Sequence, residues 1–132
     1  MGDGRLEFKI ELRDEAGQLA VVSREFSNHG INIETMCAID TNVVIVTDQT
    51  VEARMALDSL GIKYSTTQLL SKSMPDKPGA LADFSERLGE AGVSITSIYV
   101  LSRIQGATEL AFSVDDLDKA RAVLNMHESV PP

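Results

Sequence analysis

The sequence is poor in several residue types, and each scarcity excludes something. It has no tryptophan, two tyrosines, four phenylalanines and a single cysteine, Cys37. One cysteine cannot form an intrachain disulfide, nor can it supply a thiolate zinc cluster. Basic residues are also few, 12 Lys plus Arg against 20 Asp plus Glu, for a formal net charge of −8. A chain this acidic, with so few aromatic rings, is badly equipped to hold a phosphate backbone or to stack bases. Nucleic acid is therefore not an expected partner. Apolar runs such as Val43–Val46 reach only four residues, far below the roughly 20 needed to span a bilayer. Residues 1–5 show no apolar signal core, and Leu6 stands where a myristoylation motif needs Ser or Thr. No membrane partner and a cytoplasmic location are expected. No Ser–His–Asp set, phosphate loop or His-Glu-x-x-His helix is found. Neither a cofactor nor an enzymatic activity is expected.

What is present is a repeat. The 132 residues are 43% hydrophobic and 24% charged, values of a folded chain with room for one ordinary domain or two small ones. Displaced by 62 positions, residues 14–40 fall on 76–102. Asp14 then meets Asp76, Gly17 meets Gly79, Leu19 meets Leu81, Gly30 meets Gly92 and Ile33 meets Ile95. The match resumes at an offset of 67, where Ala53–Leu57 falls on Ala120–Leu124. The second copy therefore holds five extra residues, placed most simply in a Ser102–Thr108 loop around Gly106. The copies meet near residue 67, giving domains at 1–67 and 68–132. Charge divides unevenly, with −6 on residues 1–62 and −2 on the remainder.

Within each copy the pattern predicts elements. Leu6–Arg13 alternates apolar and charged residues, as a half-buried strand does. Leu19, Val22 and Phe26 follow at helical spacing with Gly30 as the C-terminal stop. Ile31, Ile33, Thr35, Cys37 and Ile39 alternate as a second strand, which places Cys37 inward as a small core residue. Val43–Thr47 is a third strand. Asp48 is positioned to cap a helix with Ala53, Leu57 and Leu60 inward, and Ile62–Gln68 returns as a fourth strand. The order is β-α-β-β-α-β, the split, ferredoxin-like arrangement. In the second copy the pattern gives a strand at Leu69–Met74, a helix at Gly79–Glu90 with Leu81, Phe84 and Leu88 inward, strands at Val93–Leu101 and Glu109–Val114, and a helix from about Asp116. Lys72 replaces Ile10, which makes that strand less buried or places it nearer a sheet edge. No fourth strand is evident in this copy, and the tail 125–132 is expected to fray.

One segment carries candidate chemistry. Met74-Pro75-Asp76-Lys77-Pro78-Gly79-Ala80-Leu81 joins a strand end to a helix start. Pro78 suits a first helical turn, and Asp76 could cap that turn or meet an ammonium group. The backbone N–H groups of Gly79, Ala80 and Leu81 would face outward and attract a carboxylate. The alternative is an ordinary helix start with an Asp cap.

This run, followed by Gly92-Val93-Ser94-Ile95, resembles the ACT domain, whose signature is Asp-x-Pro-Gly-x-Leu and then Gly-(Ile/Val)-Asn-Ile. Asp14-Glu15-Ala16-Gly17-Gln18-Leu19 and Gly30-Ile31-Asn32-Ile33-Glu34 look like a drifted copy. The chain is thus similar to small stand-alone tandem ACT proteins over about residues 6–124. The resemblance implies an α+β fold of two ferredoxin-like units paired side by side, with antiparallel sheets and both helices on one face. It also implies a free amino acid bound between units. Carried over by residue, one site joins Asp76, Lys77, Pro78, Gly79, Ala80 and Leu81 to Asn32, Ile33 and Glu34. A weaker one joins Asp14, Gly17, Gln18 and Leu19 to Ser94, Ile95 and Thr96. In the first, backbone N–H groups take the α-carboxylate, while Asp76, Glu34 or the Asn32 carbonyl takes the α-ammonium.

The remaining polar residues have plainer readings. His29 sits at a helix end as a capping residue. Asp115, Asp116 and Asp118 form an ordinary helix start, with weak metal binding as the alternative; no metal is expected. The function implied is a regulatory module, a homodimer, that senses an amino acid and controls a separate protein in trans. The alternatives are a ligand-free oligomerisation scaffold, or a regulatory subunit of a metabolic enzyme.

Overall fold

The alternation at the start of the chain becomes a strand, β1 (Leu6–Glu11), that places Phe8 and Ile10 on one side, both almost fully buried. In the computed structural model, which describes residues 4–13 and 16–125, the chain divides into two compact units, Gly4–Gln68 and the residues from Leu69 onward.

The first unit continues with α1 (Gln18–Asn28), β2 (Thr35–Ile39), β3 (Asn42–Thr47), α2 (Thr50–Ser59) and β4 (Tyr64–Gln68). Its four strands lie in the order β2-β3-β1-β4, every neighbouring pair antiparallel, with Phe8 opposite Ile45 on one side and Thr66 on the other. Val22 and Phe26 from α1, Ala53 and Leu57 from α2, and Phe8, Ile10 and Ile45 from the sheet form one buried cluster, so both helices cover the same face. Burying a side chain of this size contributes about 1.5–3 kcal/mol.

The second unit comprises β5 (Leu70–Pro75), α3 (Ala80–Glu90), β6 (Ile95–Ile104), β7 (Ala107–Val114) and α4 (Leu117–Val123). Its sheet has the order β5-β7-β6, again antiparallel. Phe84 and Phe112 meet edge to face at 5.0 Å in its core, alongside Leu70, Leu88 and Leu124. Among the described residues no strand flanks β5, so Lys72 lies on an edge strand. Most of the tail at 125–132 lies outside the described residues.

Several local expectations change. The second strand begins at Thr35 rather than Ile31, because the preceding residues serve other partners. Gly30, at φ 70°, ends α1, and its N–H and that of Ile31 bond back to Ser27 and Phe26. This is the two-bond Schellman closure of a helix end. Asn32 then bonds to the Gln49 and Thr47 side chains rather than to a strand. Cys37 is exposed, not core, since β2 is an edge strand and the buried cluster centres on β1 and β3. Gln49, not Asp48, is the N-cap of α2, and its side chain makes no capping hydrogen bond to the helix.

The five extra residues of the second copy do not make a loop. Both hairpins turn on two residues, Asp40-Thr41 and Gln105-Gly106, and the insertion, together with a strand start two aligned positions earlier at Ile95, lengthens β6 and β7 to 10 and 8 residues, against 5 and 6 for β2 and β3. A paired ribbon satisfies its own backbone groups, whereas an extended loop would leave them to water. The bulges near Thr96 and Leu101 absorb the register mismatch.

Candidate functional site

The lengthened hairpin reaches the motif loop. Asp76 donates its backbone N–H to the carbonyl of Gly106 at the hairpin tip, 2.8 Å away. In the first unit the shorter hairpin meets the chain two aligned positions earlier, where the Leu12 N–H bonds Thr41 O at 2.7 Å. The insertion therefore raises a wall beside the second loop.

That wall completes a cleft of about 160 Å³ within the second unit. One side is the end of β5 and the loop, with Met74, Asp76 and Lys77; another is the first turn of α3, with Ala80 and Leu81. The hairpin supplies the third, with Val100, Arg103, Thr108 and Leu110. The sequence reading missed these hairpin residues. The signal for Arg103 and Thr108 is the five-residue insertion, since both lie in the Ser102–Thr108 segment where the sequence predicts a loop.

The helix start differs from the expectation in a way that matters for the cleft. Gly79 is the N-cap of α3, at φ 91° and ψ −19°, and no side chain caps it. Asp76 is therefore not a cap, and its carboxylate lines the cleft. Pro78 precedes the cap instead of occupying the first helical turn. The cap position with positive φ requires a residue without a Cβ cost, and the turn closes with Ala80 N–H to Lys77 O and Asp83 N–H to Gly79 O. Leu81 was expected inward but is 52% exposed, because the core-facing stripe of α3 starts at Phe84. It borders the cleft instead.

The cleft therefore combines one carboxylate, two cations and an apolar floor. Asp76 opposes Lys77 and Arg103 in sign, while Met74, Val100 and Leu110 offer carbon. Such a set suits a small zwitterion with an aliphatic side chain.

The other expected site residues are placed as follows. Asn32 donates its N–H to Gln49 Oε1 at 2.8 Å and accepts the Thr47 hydroxyl at its carbonyl. Ile33 packs, half-buried, on the first core. Glu34 holds Arg5 through a 2.8 Å ion pair. All three belong to the first unit, whereas Asp76–Leu81 belong to the second.

Of the weaker set, Asp14 lies outside the described residues. Gly17 is the N-cap of α1 at φ 90°, and Gln18 is the first helical residue. Leu19, also expected inward, is 37% exposed, the α1 stripe starting at Val22. Ser94 exchanges hydrogen bonds with Asp115, Ile95 packs on the second core, and Thr96 bonds the Ser113 hydroxyl.

His29 is the C-cap of α1 and contacts Glu25 at 3.0 Å. Asp116 caps α4, accepting the Lys119 N–H. Among the described residues no cluster of His, Cys, Asp and Glu could hold a metal, and no helix is long and apolar enough to cross a membrane.

Residues 69–124, essentially the described part of the second unit, match the family model of the ACT domain. No curated protein matches the sequence. Among solved structures, a protein of Bacteroides thetaiotaomicron superposes over 95% of this chain and 90% of its own, with TM-score 0.81 and 23% identity. The ligand-free regulatory subunit of aspartate kinase from Thermus thermophilus covers 98% and 95%, with TM-score 0.69 and 17% identity. The corresponding subunit from Thermus flavus covers 95% and 90%, at TM-score 0.68 and 16% identity. The chain shares the fold of these proteins.

Proposed function

We propose that this protein is a tandem ACT regulator which binds a free aliphatic amino acid in the cleft of its second unit and acts in trans on a separate protein. The observation that carries this reading is the meeting of Asp76, Lys77 and Arg103 around an apolar floor at the mouth of α3. Asp76 takes the α-ammonium, Arg103 and Lys77 take the α-carboxylate, and Leu81 with Val100 borders the side chain. Arg can offer a carboxylate two parallel N–H donors, which fixes orientation as well as charge. A ligand with a basic side chain would meet two like charges and is disfavoured.

The regulatory part of the proposal draws support from the second unit's match to the ACT domain and from the fold shared with aspartate kinase regulatory subunits. The homodimer in this reading draws support from β6, an edge strand with Ile98, Val100 and Ile104 exposed along it. An edge of this kind invites pairing with a second copy. A scaffold without a ligand is the competing reading.

A calorimetric and thermal-shift screen of the free amino acids decides between them. At about 100 times its Kd a ligand adds about 2.7 kcal/mol to the folded state, so a hit raises the melting midpoint by several degrees. Arg103→Ala and Asp76→Ala, at exposed positions, should each weaken that hit about tenfold or more while leaving the ligand-free midpoint unchanged. A flat screen, or a hit indifferent to both substitutions, removes the site.

A further inference from the structure

We propose that the first unit carries a second small-molecule site, for an organic carboxylate with an aliphatic body, in the fork where β1 and β4 part. The two strands pair as far as Ile10 and Tyr64. Beyond that point β1 stays with the hairpin, through the Leu12 N–H on Thr41 O, while the Ile62 N–H turns back to Leu57 O at the end of α2. The divergence opens a cleft of about 610 Å³, roofed by the first turn of α1. That volume falls among those of small-molecule sites, about 300–1,000 Å³.

Its chemistry has two parts. Leu12, Leu60 and Ile62 form an apolar floor, and Val21 on the roof is 50% exposed although it sits beside them. Arg13 and Lys63 bring two cations to the opening from segments far apart in sequence, and neither has an ion-pair partner among the described residues. Glu11 is the one acid on the described lining. An aliphatic tail on the floor with its carboxylate at Arg13 and Lys63 matches both parts.

The second unit tests the assignment internally. Shifted by 62 positions, Glu11, Leu12, Arg13, Gln18 and Val21 fall on Ser73, Met74, Pro75, Ala80 and Asp83, all of which line a cleft of about 320 Å³ there. In that copy the position of Val21 holds an acid, Asp83, and the position of Arg13 holds Pro75. The wall formed by Leu60–Lys63 has no counterpart among its described residues. The fold repeats the cleft, and the second copy lines it with cations of its own, Lys72, Lys77 and Arg87, but Asp83 takes the roof position there, so only the first copy gives it an apolar roof.

The experiment is an amide NMR titration of the full chain with 4-methylpentanoate and, separately, with its neutral amide. Saturable shifts are expected at residues 11–13, 18–21 and 60–63 with the acid, and at least tenfold weaker binding with the amide. Arg13→Ala and Lys63→Ala, both at exposed positions, should each weaken the acid about tenfold. Val21→Trp should block it by filling the cleft, with the remaining spectrum showing that each variant is folded. The proposal is overturned by an absence of saturable shifts, by equal binding of acid and amide, or by shifts confined to residues 74–81 and 100–110. That last result would move the anion to the cleft of the second unit without affecting the amino-acid reading.

Discussion

The two helix starts at Gly17 and Gly79 have nearly the same backbone angles and very different surroundings. Gly17 caps α1 at φ 90°, ψ −7°, and Gly79 caps α3 at φ 91°, ψ −19°, although the residue before the glycine is Ala16 in one and Pro78 in the other. The first copy makes the same cap without the proline. Glycine alone suffices for that geometry, since only it takes positive φ without a Cβ penalty. What separates the two loops is the partner across from them. Beside Gly79 stands a ribbon lengthened by the insertion, carrying Arg103 and Thr108, whereas the hairpin beside Gly17 ends earlier. A loop of given shape becomes a site only when another element brings it chemistry.

The largest expected effect that could break this equivalence is at the glycines themselves. A Cβ on either would meet no atom within 4 Å, so Gly17→Ala and Gly79→Ala should each cost the left-handed penalty alone, about 1–2 kcal/mol. Urea unfolding of the two variants measures this. Costs that differ by more than that range would show the two turns to be unlike.

A smaller effect distinguishes the second helices. Asp116 accepts the Lys119 N–H at 3.0 Å, while Asp48 is not the cap of α2. Asp116→Ala should lower stability by about 1 kcal/mol, and Asp48→Ala should change it by less than about 0.5 kcal/mol. Comparable losses at both would contradict the observed caps.

The smallest effect concerns how the helices of each unit are tied. In the first unit Ser59 Oγ donates to Glu25 at 2.8 Å, joining α2 to α1; in the second Arg87 donates to the carbonyl of Val123 at 2.8 Å, joining α3 to the end of α4. The Ser59 hydroxyl, and after it His29, hold the Glu25 carboxyl below the usual range. A lowered pKa in the folded state stabilises at pH above the ordinary glutamate value and loses that contribution as pH falls through the lowered one. The deficit of Ser59→Ala relative to the parent should therefore shrink on acidification. That of Arg87→Ala should not, because both partners keep their charge state. Midpoints measured at neutral and acid pH would settle it; a constant Ser59→Ala deficit would mean the tie is not ionic.

Much of the fold was legible because periodicity reports burial. Phe8, Ile10, Val22, Phe26, Leu57, Phe84 and Leu88 occupy core positions as their spacing predicts. The pattern failed where an apolar residue had a different task. Leu19 and Leu81 fit the helical stripe yet sit at the exposed first turn, and in the second unit that exposure is what borders the cleft. Cys37 alternates correctly but lies on an edge strand, and alternation cannot tell an edge from a centre. Asp76, Lys77, Ala80 and Leu81, which line the cleft, stand out in the sequence through their motif, whereas Arg103 does not, being one arginine in an ordinary strand.

The sequence by itself determined the repeated pattern, the β-α-β-β-α-β order of the first copy and the glycine-led turns, because these rest on spacing and on backbone dihedral limits, which are local. Only the tertiary structure decided which residues confront one another. Whether five inserted residues bulge into a loop or extend a ribbon depends on long-range pairing and backbone hydrogen-bond satisfaction. That choice brings Arg103 to Asp76, and the fork between β1 and β4 likewise brings Arg13 and Lys63 to one opening.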